Sequence, residues 1–81
     1  MPIKPLRDDL SKFLTSHQLT KKYEKQKKLF ENSPSHPSLN TELLEPKSLK
    51  IYSFRIDKKY RAIFLIVDET AEIIDINKHY Q

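Results

Sequence analysis

Residues 51–76, IYSFRIDKKYRAIFLIVDETAEIIDI, decide the fold of this 81-residue chain. Their β-branched and aromatic side chains fall into three runs, 51–56, 60–67 and 71–76. Such side chains suit a pleated, half-buried surface. Asp57-Lys58-Lys59 and Asp68-Glu69-Thr70 separate the runs. Both connections have hairpin length, with Asp as the turn residue because the chain contains no glycine. The middle run is apolar at nearly every position, as a central strand should be. The stretch therefore predicts a three-stranded antiparallel meander.

Upstream the period changes. Leu6, Leu10, Phe13, Leu14 and His17 lie on one face of a short amphipathic helix. Pro5 suits its first turn, and Asp8 and Asp9 stand where the helix dipole favours acids. A second stripe runs through Leu19, Tyr23, Gln26 and Leu29 or Phe30, backed by Lys21, Lys22, Lys25, Lys27 and Lys28. Asn32, Ser33 and Pro34 end it. Residues 33–40 read as a loop and 41–45 as a short turn. The fold class expected is α+β: two N-terminal helices on a three- to four-stranded antiparallel sheet. A single domain spans 1–81, with a helical hairpin over 1–33 and the meander over 48–78.

Composition narrows the function. With no cysteine, disulfides and thiolate metal sites are excluded, and with no glycine so are Gly-rich phosphate loops. The longest apolar run, 62–67, is six residues, far short of a membrane span. The N-terminus lacks the apolar core of a signal peptide, so a cytoplasmic protein with no membrane partner is expected. The net charge is +4, and residues 1–31 carry eight Lys and Arg against four Asp and Glu. A basic domain of this kind favours a polyanion or an acidic protein, although a charged helix face also serves solubility alone.

Pairing arithmetic brings polar groups together. A three-residue loop at 57–59 sets Arg55 opposite Arg61 on one face, and like charges so placed destabilise a sheet unless an anion lies between them. A one-residue change of register would separate them. Pairing Val67 with Glu72 would set Lys78 opposite Arg61 and His79 opposite Tyr60, gathering Arg55, Arg61, Lys78, His79 and Tyr80 at one end of the sheet. Ion pairs of Arg55 and Arg61 with Glu42, Glu45 or Asp75 are the structural alternative. His17 reads as a core or edge residue, and His36, before Pro37, as one that orders its loop. The three histidines show no metal-ligand spacing, so neither metal nor cofactor is expected.

HPSL (36–39), ELLEP (42–46), IYSFRI (51–56), YRAIF (60–64) and the terminal His79-Tyr80, in this order and spacing, resemble the RelE/ParE toxin superfamily. They lean to its RelE and YoeB-like branch of ribosome-dependent mRNA endonucleases. The likeness covers about residues 18–81. It implies a curved antiparallel sheet packed by two N-terminal helices, agreeing with the order above. It also implies a type II toxin with a cognate antitoxin as partner, acting on mRNA in the ribosome. By the same resemblance Arg61 contacts the scissile phosphate beside Arg55. His79 is the general acid with Tyr80 close by, and Glu42, or Glu45 nearby, is the general base. Some relatives carry lysines just before the strand that ends in Arg55, for which Lys47 and Lys50 are the candidates here, and the pairing above adds Lys78 to the expected RNA-binding positions. The alternatives within the fold are a ParE-like gyrase inhibitor and a binding module without catalysis. Family members begin with a strand that here reduces to Ile3 between prolines. A missing strand would expose a sheet edge and favour homodimerisation or partner binding.

Overall fold

The three β-rich runs form consecutive strands, and a fourth short strand joins them from upstream. The computed structural model describes residues 1–78. Helices α1 (Asp8–Ser16) and α2 (Thr20–Asn32) precede β1 (Glu42–Leu43), β2 (Tyr52–Arg55), β3 (Tyr60–Val67) and β4 (Thr70–Lys78). The strands make one antiparallel sheet in the order β1-β2-β3-β4. The architecture is α+β, with both helices on one face of the sheet.

Pro5 is not in the first turn of α1, which starts at Asp8. The segment before it is held extended against β4. Lys4 N donates to Ala71 O (2.9 Å) and Ala71 N to Pro2 O (2.9 Å), around a single parallel bridge between Ile3 and Ala71. The N-terminal strand is thus reduced to one bridge but still covers β4 at that point. Pro2 and Pro5 lack the N–H groups that would extend it.

The end of α1 explains its junction with α2. Gln18 takes a left-handed φ of 56°. Gln18 N donates to Thr15 O (3.1 Å) and Leu19 N to Leu14 O (2.8 Å). This is the Schellman pattern, in which glycine usually holds the left-handed position. Leu14 and Leu19, at the paired positions, are both buried in the core.

Along α2, Tyr23, Gln26 and Phe30 are the buried residues, at helical spacing. Phe30 meets Phe54 and Phe64 with ring centroids 5.2 and 5.1 Å away, and Tyr23 stacks on Phe54 at 6.4 Å. Gln26 is a polar member of this stripe for a reason. Its Nε2 donates to Arg55 O (2.8 Å) and Ser38 O (3.2 Å), tying the helix to the end of β2 and to the short turn Pro37–Leu39. Lys21, Lys22, Lys25 and Lys28 are exposed.

In the sheet, Arg55 does oppose Arg61, and Phe54 opposes Ala62. The second hairpin differs from expectation. Its turn is the two residues Asp68 and Glu69, both left-handed (φ 51° and 63°), and Thr70 already pairs with Val67. The register then shifts between Ile63 and Phe64, so that Phe64 opposes Ile73 while Ile63 opposes Asp75. Ile74 is the extra residue of this bulge. The net result sets Asn77, not Lys78, opposite Arg61, and Lys78 opposite Tyr60. The bulge also lets Ile73 and Ile76, three residues apart, both reach the core. Residues 41–45 are not a turn. Glu42 and Leu43 pair with Ser53 and Tyr52, a strand too short to leave a periodic trace in sequence. Among the described residues no helix is long and apolar enough to cross a membrane.

Two stability predictions follow from backbone and core. Gln18→Gly removes a Cβ from a left-handed position and should raise the unfolding free energy by roughly 0.5–1 kcal/mol. The Tyr23 hydroxyl is buried with no hydrogen-bond partner among the described residues, and burial pushes its pKa up. Tyr23→Phe should therefore leave stability unchanged or raise it by up to about 1 kcal/mol. Denaturant unfolding of each variant reads both effects, and a clear loss in either contradicts the geometry described.

Candidate functional site

Alternation along the strands leaves the face away from the helices to polar side chains. Glu42, Ser53, Ile63 and Asp75 form one cross-strand row on it, and Arg55, Arg61 and Asn77 form the next. A cavity of about 250 Å³ opens there, bordered by Glu42, Ser53, Arg61, Asn77 and Lys78.

Arg61 is the central group. It is only 4% exposed, which is unusual for an arginine with no carboxylate partner among the described residues. Its Nε donates to Ser53 Oγ (2.8 Å), and its Nη2 donates to Ser53 O (3.3 Å) and to Asn40 O. The other amino group, Nη1, makes no hydrogen bond among the described residues. Burial pushes the guanidinium below its ordinary pKa, the Glu42 carboxylate acts in the opposite direction, and the charge of Arg55 lowers it again. An arginine remains charged regardless. The site thus presents a fixed cation held by neutral acceptors, with donors to spare.

Asn40 supplies its carbonyl from a left-handed conformation (φ 44°) at the end of the Pro37–Leu39 turn. His36 caps that turn, its Nδ1 accepting from Ser38 N (3.1 Å). The backbone-ordering role read for His36 has this physical form. It also means that the 36–40 loop and β2 together aim Arg61.

The ion pairs considered for Arg55 and Arg61 do not form among the described residues. Neither has a carboxylate within 4.0 Å. Asp75 is occupied by its neighbours instead, accepting from Ile76 N (2.9 Å) and Asn77 Nδ2 (3.3 Å). Arg55 is exposed beside the buried Arg61.

The structure brings Glu42, Arg61 and Lys78 to one cavity and sets Arg55 opposite Arg61. Lys47 and Lys50 belong to the exposed turn Lys47–Leu49 and its cap and do not border this cavity, and Glu45 is likewise exposed away from it. His79 and Tyr80 lie outside the described residues. Sequence reasoning missed Asn40, Ser53 and Asn77. Ser53 was legible, since it lies two residues from Arg55 and so on the same face. Asn77 was hidden by the two-residue turn combined with the bulge, and Asn40 acts through a backbone carbonyl that any residue carries.

No protein-family model matches the chain, and no curated protein matches it.

A buried arginine without a counter-ion is costly to keep. Arg61→Met, which fills similar volume without the charge, should unfold at the same or higher denaturant concentration than the parent. A marked drop in the midpoint would mean that Arg61 serves the fold rather than a ligand.

Proposed function

We propose that this chain is a ribosome-dependent mRNA endoribonuclease of a type II toxin–antitoxin system. The observation that carries the reading is the buried Arg61, held by neutral acceptors, without an ion-pair partner among the described residues, on the wall of a cavity shared with Glu42. A guanidinium so placed suits a phosphodiester, and its charge is worth most where a second negative charge develops on phosphorus. The ordered resemblance described above supports the same reading.

In this scheme Glu42 takes the proton of a ribose 2′-OH. The 2′-oxygen attacks the adjacent phosphorus, the bond from phosphorus to the 5′-oxygen breaks, and His79 gives that oxygen its proton. Arg61 carries the phosphorane charge, and Arg55 and Lys78 hold the flanking phosphates. Tyr80 adds a ring on which a base can stack. The products are a 2′,3′-cyclic phosphate and a 5′-hydroxyl, so the balance closes without a metal. A cognate antitoxin would neutralise the protein by covering this basic face.

Induced expression in a bacterium, with primer extension on a translated reporter mRNA and an untranslated control, tests the proposal. Cleavage of the translated message alone is expected. Arg61→Met and Glu42→Gln should each lower it by about a hundredfold or more, and His79→Ala should do the same. Growth arrest with intact message points instead to a gyrase-directed toxin. No arrest from soluble protein points to a binding module.

A further inference from the structure

A separate cavity lies on the other side of β3. Tyr60 and Arg61 are adjacent, so their side chains leave opposite faces of the sheet. Arg61 enters the cavity described above. Tyr60 instead meets α1 and helps to line a second opening of about 570 Å³ between the α1–α2 junction and the β2–β3 hairpin.

The wall of this opening contains an imidazole held in place. The His17 ring stacks on Phe13 with centroids 3.9 Å apart and planes 23° apart, and Tyr60 meets it edge-on at 5.6 Å. Nδ1 of His17 lies 2.9 Å from Phe13 O. The Ser16 hydroxyl lies 3.0 Å from the same nitrogen, and the other ring nitrogen makes no hydrogen bond among the described residues. His17 is exposed despite these contacts. An exposed ring that is stacked, hydrogen-bonded and flanked by a phenol has already lost its rotamer freedom.

The charge around it is equally specific. Asp57 accepts from Lys59 N and Tyr60 N, each at 2.8 Å, and pairs with Lys22 Nζ at 3.3 Å. Burial alone would raise its carboxyl. Those two N–H groups and the Lys22 ammonium outweigh burial and hold it below the usual carboxylate range. Asp57 is therefore spent on shaping the hairpin and on Lys22. The ammonium groups of Lys58 and Lys59 make no ion pair among the described residues. A flat ring platform beside two uncompensated cations has the chemistry of a nucleotide subsite.

We infer that this opening binds a nucleoside phosphate, its base laid on His17 against Tyr60 and its phosphate held by Lys58 and Lys59. The ligand is a residue of single-stranded RNA or a free mononucleotide. The inference stands whether or not the chain cleaves RNA, because the subsite shares no residue with the Arg61 cavity.

Titration of the full chain, followed by 1H–15N NMR, tests it with AMP, adenosine, ribose 5-phosphate and an RNA hexamer as probes. AMP should give saturable shifts at residues 17–19, 22 and 57–60. His17→Ala should weaken AMP at least about fivefold, the low end of what one base–aromatic stack contributes. Lys58→Glu with Lys59→Glu should weaken AMP while leaving adenosine unchanged. Tighter binding of the hexamer than of AMP at these residues assigns the subsite to single-stranded RNA, and equal binding assigns it to mononucleotides. Ribose 5-phosphate binding as tightly as AMP, shifts confined to Glu42, Ser53, Arg61 and Asn77, or no saturable shift would each overturn the inference. The substituted side chains are exposed, and the amide spectrum itself reports whether each variant is folded.

Discussion

Phe54 and Phe64, packed under Phe30 and Tyr23 of α2, are the contact on which the rest depends. Both phenylalanines are almost wholly buried, and each contributes on the order of 1.5–3 kcal/mol through lost apolar surface. Their effect on register matters as much. Side chains alternate across a strand, so committing Phe54, Ala62 and Phe64 to the helices commits Ser53, Arg55 and Arg61 to the opposite face. A slip of one residue would put a guanidinium under α2 and a phenylalanine in water. The opposed arginines follow from the core.

That opposed pair is resolved asymmetrically. Arg55 stays in solvent, while Arg61 is drawn down onto Ser53 and the carbonyl of Asn40. Two neutral acceptor residues take the place of a carboxylate, and no ion pair forms on Arg61 among the described residues. A fold selected for stability alone would place an apolar side chain there. The cost makes sense where the charge has something to meet, and the cavity beside it with Glu42 offers the place.

The absence of glycine leaves a second imprint. Among the described residues five, Gln18, Asn40, Lys50, Asp68 and Glu69, take left-handed conformations that glycine would adopt at no steric cost. Two of them shape the sites. Asn40 sets its carbonyl on Arg61, and Gln18 turns the chain between His17 and the core residue Leu19. Asp68 and Glu69 tighten the last hairpin to two residues, which moves the register by two positions from a Val67–Glu72 pairing, and the bulge restores one of them.

Fold class was legible in residues 51–76 and in the two helical stripes, because burial of one face imposes period two on strands and about 3.6 on helices. The opposition of Arg55 and Arg61 was legible as well, since a three-residue loop determines it by counting. Local pattern could not show the strand at Glu42–Leu43, the bulge at Ile63/Phe64, or Asn77 as the partner of Arg61. Each is set by pairing with a distant strand, and the bulge adds a residue that no periodicity announces. Nor could it show that Arg61 is buried, or that His17 is stacked on Phe13 beside Tyr60. The amino-acid sequence determined which residues face the core. Only the tertiary structure decided which polar groups meet on the surfaces left over, because backbone carbonyls and packed rings become neighbours only once the chain has folded.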